Sequence, residues 1–415
     1  MSRDGEQPAT FGEVFAVGEF RALFGAQILS IAGDQLARVA LAFLVFDRTG
    51  SAALTALTYA LTFLPDLFGG PLLSGLADRF RRRELMVVTD LARAGLVGLM
   101  AIPGMHIALL AGLLIVVQLL ASPFNAARAA VLPAILEGDR FVVGQGIINI
   151  TYQLAQLAGY VAGGVIVKFT GTSVSLLIDA VTFLLSAILV RLGLRDRPAP
   201  QPAGADEPKR SAMRSLREGA GLVWHNRKLR VLVALGCISG FYVVPEGLAV
   251  PYANQLGGGA VTAGLLFAAP PAGTVIGMLI LTRLVPPRIR ANLLGVLAIA
   301  SSAVLIGSAA SPGLVITLVL FGLSGAAAAH QTVVAATFMQ TVPDAQRGQA
   351  FGLAHTSIRV SQGLGVVVAG AMAEGWAPST VVAIAGALGT LAALLAALRW
   401  RRVRAAGNSP VDVAH

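Results

Sequence analysis

Apolar runs of about 20 residues, separated by short polar turns, recur from one end of this 415-residue chain to the other. A run of that length crosses the ~30 Å hydrocarbon core as a helix, with every backbone group bonded inside the segment. Barrel strands need only about 9–11 residues and alternate in polarity, which these runs do not. The chain is 56% hydrophobic and 13% charged, where soluble domains carry about 25% charged residues. An all-α integral membrane protein is therefore expected. Glycine is abundant at 47 residues, which suits helices that pack closely where lipid supplies no hydrophobic drive.

The runs predict twelve transmembrane helices, at 19–46, 52–76, 84–104, 107–131, 141–168, 172–193, 229–255, 260–284, 290–309, 313–340, 347–373 and 378–400. Between the second and third stands Leu76-Ala77-Asp78-Arg79-Phe80-Arg81-Arg82-Arg83. So many arginines cannot lie in hydrocarbon, so this is a tight turn at a water interface. Most of the 31 Lys and Arg fall on the same side as this turn. Arg48 and Lys168 fall on the other side, and Arg38, Arg93, Arg128 and Arg359 lie within spans. By the positive-inside rule both termini are expected in the cytoplasm, in a multi-pass protein of the plasma (inner) membrane. The net charge of +10 then faces anionic headgroups of the lipid bilayer, not nucleic acid. The polar start, MSRDGEQPATFGE, lacks the pattern of a removable signal peptide. The lone cysteine, Cys237, excludes an intrachain disulfide and a Cys-cluster metal site.

One long polar segment divides the chain. It gives an N-terminal six-helix half (1–193), a cytoplasmic linker (194–228), a C-terminal six-helix half (229–400) and a tail (401–415). Arg195 to Ser211 is rich in proline and charge, and Met213 to Arg230 is patterned as an amphipathic surface helix. The halves echo each other. Leu132-Pro133, a polar loop and then Gln156 with Gly159, Gly163 and Gly164 recur as Val342-Pro343, a polar loop and then Gln362 with Gly365, Ala369 and Gly370. Two pseudo-symmetric six-helix bundles repeated in one orientation imply an axis along the membrane normal, with substrate held between them.

With these residues assembled, the chain resembles the major facilitator superfamily over nearly its full length, and within it the bacterial branch of drug, macrolide and siderophore exporters. The resemblance rests on Gly50-Ser51, on Leu64-Pro65, on the Leu76 to Arg83 loop, and on Pro343-Asp344-x-x-Arg347-Gly348. Ser74 and Arg81 stand where the loop signature has glycine. The antiporter motif of the fifth helix, ending Gly-Pro-x-x-Gly-Gly, reads Gly159-Tyr160-Val161-Ala162-Gly163-Gly164, with Tyr160 in place of proline. The resemblance implies the major facilitator fold, and it implies that Asp78 faces the start of the eleventh helix near Gly348. A positive helix end would stabilise that carboxylate.

Carboxylates inside spans cost of order 2.5–3.5 kcal/mol and are functional candidates by default. Asp34, Glu246 and Asp66 are the candidates for proton or substrate coupling. Asp34 lies four residues before Arg38, so a self-neutralised ion pair on one helix face is the plainer alternative. Pro245 beside Glu246 is expected to kink the seventh helix. Asp179 reads as structural. Polar residues at helical spacing, Asn149, Tyr152, Gln153 and Gln156 on the fifth helix and His355, Arg359 and Gln362 on the eleventh, are candidates with Arg38 to line a cavity, the alternative being contacts between helices. Asp78, Arg79, Arg82, Arg83, Asp90, Arg93 and Arg128 are expected to form a gating loop and charge network on the cytoplasmic side.

No phosphate-binding loop, H-E-x-x-H or G-x-S-x-G is present, so neither ATP nor an enzymatic site is indicated, and no cofactor or metal is expected. The reading is a monomeric secondary transporter that exports a drug-like or natural-product small molecule in exchange for protons. A proton-coupled importer of a metabolite is the alternative on the same fold, and a non-transporting membrane sensor the remoter one.

Overall fold

The computed structural model describes residues 9–63, 76, 79–198, 221–343 and 346–407. Asp66, Asp78, Asp344 and residues 199–220 of the linker lie outside the described residues, and with them the expectations placed there. The described residues are almost entirely helical. A short helix, α1 (Phe11–Ala16), is capped by Thr10, whose hydroxyl accepts from the Glu13 amide. Span 1 is α2 (Gly18–Thr49), and span 2 begins as α3 (Ala52–Ala60). Spans 3 and 4 are α4 (Arg82–Met100) and α5 (Ile107–Ile135). Spans 5 and 6 form α6 (Asp139–Gly193), which breaks at Gly171, where φ is 80° and ψ 173°. That left-handed backbone suits glycine, and it lets the chain turn between two crossings.

Span 7 is four short helices, α7 (Arg227–Cys237), α8 (Ser239–Tyr242), α9 (Val244–Gly247) and α10 (Ala249–Gln255). Pro245 and Pro251 carry no amide hydrogen, so a continuous helical ladder is impossible there. Then come α11 (Ala260–Arg283, span 8), α12 (Pro287–Ala303) with a 3-10 turn to Ala310 (span 9), α13 (Leu314–Ala328) with α14 (His330–Thr341) (span 10), α15 (Arg347–Met372, span 11) and α16 (Pro378–Gly407, span 12). Helices therefore stand at all twelve expected spans among the described residues. Eight helical stretches are long and apolar enough to cross a bilayer on that ground alone, and the 55-residue α6 supplies two crossings. The spans outside that set are span 2, cut short by the limit of the description, and spans 3 and 11, whose charged and polar side chains lower their hydropathy.

Contacts sort the chain into two compact units, one of residues 1–41 and 68–208, the other of residues 42–67 and 209–415. The start of span 2 belongs to the second unit because its small residues Ala53 and Ala56 receive Gly370 of span 11. The first unit is cored at the end nearest the N-terminus by Phe20, Leu23, Met86, Phe124, Leu132 and Val190, with Val14 of α1 sealed among them. The second unit has a core of its own formed by Leu229, Leu232, Leu294, Phe338 and Trp400. Apolar side chains such as Val315, Ile316, Leu192 and Phe169 are exposed, as lipid-facing residues of a membrane bundle are.

Glycines carry the repeat into three dimensions. Gly159 and Gly163 of span 5 abut the backbone of span 1 at Ala32 and Leu36, and Gly365 of span 11 abuts span 7 at Gly240. Spans 8 and 10 approach most closely, where a Cβ on Gly273 would overlap the Gly322 carbonyl and one on Gly325 the Pro270 carbonyl. Backbone cannot step aside as a side chain does. Gly273→Val is therefore expected to lower thermal stability in detergent, by roughly 1–3 kcal/mol as overpacking does. Gly146→Ala, at a position with open space around it, should melt like the wild type.

Candidate functional site

The first unit buries a charge cluster midway along spans 1, 3 and 6. Arg93 of α4 is its centre, with a side chain 2% exposed, and its Nη2 donates to Asp34 Oδ1 of span 1 at 2.8 Å. Asp90, one turn earlier and fully buried, lies 3.8 Å away. The Ser186 hydroxyl donates to Asp90 Oδ2 at 2.6 Å, whereas Asp90 Oδ1 has no hydrogen-bond partner among the described residues. The guanidinium stacks on Phe183 at 4.0 Å and reaches Ser30 at 3.4 Å. Asp179 of span 6, fully buried, is within electrostatic reach of Asp34 and Arg93. It comes so near because span 1 has Gly33 there, where a Cβ would overlap the Asp179 carboxylate and the Thr182 hydroxyl.

These contacts rearrange the sequence expectations. Asp34 pairs with Arg93 from a different span, while Arg38 Nη1 donates to Gln35 at 3.3 Å. Asp90 and Arg93 meet Asp34 inside the bundle, two to three turns along span 3 from the basic turn. Arg128 of span 4 is half-buried. Asp179 joins the cluster. Among the described residues, Asp34, Asp90 and Asp179 thus gather around Arg93.

The second unit has its own acidic centre. The Tyr59 hydroxyl of span 2 donates to Glu246 Oε2 of the broken span 7 in a short hydrogen bond. Around Tyr59 stand Phe63 in edge contact at 5.3 Å and Phe267 at 5.8 Å. The Arg359 guanidinium lies 5.6 Å from the Phe63 ring centre, and its Nη1 donates to Gln362 at 3.3 Å. His355 stacks on Phe351. Nearby, Gln331 donates to the Tyr242 hydroxyl and the Gly236 carbonyl, both at 2.9 Å. On span 5, Asn149 and Tyr152 are exposed, with Gln153 and Gln156 half-buried. Arg79 is exposed, and Arg82 and Arg83 are half-buried at the start of span 3.

Sequence reasoning passed over Glu374, in the turn after span 11. Its Oε1 accepts from the Ser51 hydroxyl at 2.6 Å and the Ala53 amide at 2.7 Å. It therefore caps the start of span 2 from across the fold, satisfying donors that a helix N-terminus leaves open. The Ser51 hydroxyl, then the Ala53 amide, hold the carboxyl below its ordinary range. A carboxylate lowered in this way stabilises above its ordinary pKa and loses its contribution only as pH falls through the lowered value. Glu374→Ala is expected to speed amide exchange of residues 52–60 at neutral pH, whereas the wild type keeps its protection throughout the neutral range.

Charged groups buried within apolar helices, with polar stripes beside them, are features of a polytopic membrane transporter. A model of the Major Facilitator Superfamily matches residues 23–343, and the chain belongs to that superfamily. It is 27% identical to the uncharacterized MFS-type transporter YvqJ of Bacillus subtilis, over 90% of each chain. It is 28% identical to the multidrug efflux pump Tap of Mycobacterium tuberculosis, over 54% of this chain and 56% of that pump. The fold matches the crystal structure of nucleoside transporter NupG with a TM-score of 0.71 at 13% identity, covering 92% of this chain and 99% of that one.

Proposed function

We propose that this transporter exports amphipathic organic molecules across the plasma membrane in exchange for protons, by alternating access, with both termini in the cytoplasm. The observation that carries the proposal is the buried pair Arg93 and Asp90 joined to the half-buried Asp34, with buried Asp179 beside them. A group with more carboxylates than cations gains from taking up a proton or a positively charged substrate, and buried charges inside a span otherwise carry a heavy cost. Glu246, held by Tyr59 among aromatic rings, is the second exchange point. Aromatic faces and a carboxylate together favour lipophilic cations. The similarity to the efflux pump Tap supports export.

Import on the same fold is the second reading, favoured by Tyr160 at the position where the antiporter motif has proline. The deciding experiment measures accumulation of lipophilic cations, macrolides and siderophores in a pump-deficient bacterial host, with and without a protonophore. Lower accumulation that the protonophore abolishes is expected. Higher accumulation in the expressing cells would reverse the direction, and an export that persists without a proton gradient would remove proton coupling.

A further inference from the structure

A second cluster of arginines lies away from both acidic centres, at the ends of spans 3, 4 and 6. Arg82, Arg83, Arg195 and Arg197 line a cleft of 310 Å³, with Val131 and Leu194 as its apolar wall. Ligand pockets run from about 300 to 1,000 Å³. Two of the arginines are fixed by backbone. Arg82 Nη1 donates to the Ala130 carbonyl at 3.0 Å, and Arg83 Nη1 to the Leu194 carbonyl at 3.3 Å. Each guanidinium has five donors in a planar fork, so one such bond orients it and leaves others to be used.

The local carboxylates do not use them up. Asp196 serves Arg81 at 2.9 Å and Arg83 at 3.4 Å. Glu19 serves Arg195 at 3.3 Å and Arg197 at 2.7 Å. Glu84 serves Arg83 at 3.2 Å and also Arg191. Five arginines thus share three carboxylates, and a sixth, Arg82, has none within 4 Å among the described residues. The Nε atoms of Arg82 and Arg83 are buried without an acceptor among the described residues. A buried donor with no acceptor costs free energy, and an oriented surplus of guanidinium donors is matched best by a tetrahedral oxyanion taken in bidentate fashion.

We propose that this cleft binds a phosphate group, that of an anionic lipid headgroup or of the free anion. Its place favours the lipid. The cleft sits where membrane helices end, its wall is apolar, and Val88 and Leu91 of span 3 and Leu192 of span 6 present exposed apolar surface close by along the same helices. A headgroup would fill the arginine cleft while its acyl chains lie along that surface, as in basic pockets between membrane helices elsewhere.

The test uses the full-length protein, stripped of lipid in detergent and examined by native mass spectrometry. Phosphatidylglycerol is expected to bind wild type at least tenfold more tightly than the Arg82→Gln/Arg83→Gln variant, and phosphatidylcholine to distinguish the two poorly. An Arg401→Gln/Arg402→Gln variant, altered in the tail, should bind as wild type does. Inorganic phosphate is the other arm. If it alone protects Arg82 in the wild type from phenylglyoxal, as mapped on peptides, the free anion is the ligand; if only phosphatidylglycerol protects, the lipid is. This footprint needs no variant, so it stands even where Arg82→Gln fails to fold. Equal reaction of Arg82 with and without both ligands, or equal lipid binding by the cleft and tail variants, overturns the proposal.

Discussion

Replacing Arg93 by alanine is expected to destabilise the first unit by about 3–5 kcal/mol, the usual cost of removing one partner from a buried ion pair. The side chain is 2% exposed and is the cation that faces both Asp34 and Asp90. Its loss removes the cation bonded to Asp34 and closest to Asp90 and leaves a void against Phe183. Arg93→Lys keeps the charge but cannot reproduce the fork that spans Asp34 and Ser30, so an intermediate loss is expected. The decisive comparison is the double variant Asp34→Asn/Arg93→Gln. It removes both charges of the closest pair and should melt above Arg93→Ala while showing no proton-driven transport. Thermal unfolding in detergent and transport in vesicles measure the two effects separately. If Arg93→Ala melts with the wild type, the cluster is solvated and the proposed coupling role loses its basis.

Different parts of this architecture are legible to different degrees in the chain. The span ends lie within a few residues of the expected ones for span 3 (Arg82–Met100) and span 8 (Ala260–Arg283), because hydrocarbon thickness imposes one length on every crossing. The break of span 7 could be anticipated at Pro245, since the missing amide is a local property. The partner of Asp34 could not. Local spacing pointed to Arg38, one turn away, yet the bond is made by Arg93, 59 positions along the chain. Helical periodicity tells which face a residue occupies but not which helix meets that face. Gly33 held a clue in plain sight, as a small residue beside Asp34 opens room for a neighbouring span, though nothing in the chain named Asp179 as the group that enters. Glu374 was hidden for a different reason. It is an exposed glutamate in a short turn, and only the folded chain brings it to the start of span 2. The small α1 escaped notice because its six residues sit in a polar stretch, and it is held by packing of Val14 and by the Ala9 amide on Asp139.

Glu246→Gln is expected to abolish proton-driven flux while preserving exchange of substrate down its own gradient. The reasoning starts from the broken helix. Pro245 interrupts the ladder of span 7, so Glu246 sits where backbone bonding is short-range, from its own amide to the Val243 carbonyl at 3.0 Å, and such a segment can shift at little cost. Its carboxylate is tied to span 2 by the Tyr59 hydroxyl. A protonated carboxyl accepts that bond less strongly than the anion does, so proton uptake would loosen the tie between spans 2 and 7 within this unit. Glutamine keeps the size and an accepting oxygen, but holds one charge state at every pH. The coupling should vanish while the binding surface made by Tyr59, Phe63 and Phe267 survives. Tyr59→Phe makes the complementary test. It leaves the titrating group and removes its tether, so flux should continue with its pH dependence displaced. Counterflow and pH-jump uptake in proteoliposomes separate the outcomes. Normal pH-driven flux by Glu246→Gln would exclude this carboxylate from coupling and leave Asp66 and the Asp34 cluster as candidates. Loss of counterflow as well would reassign Glu246 to substrate binding or folding.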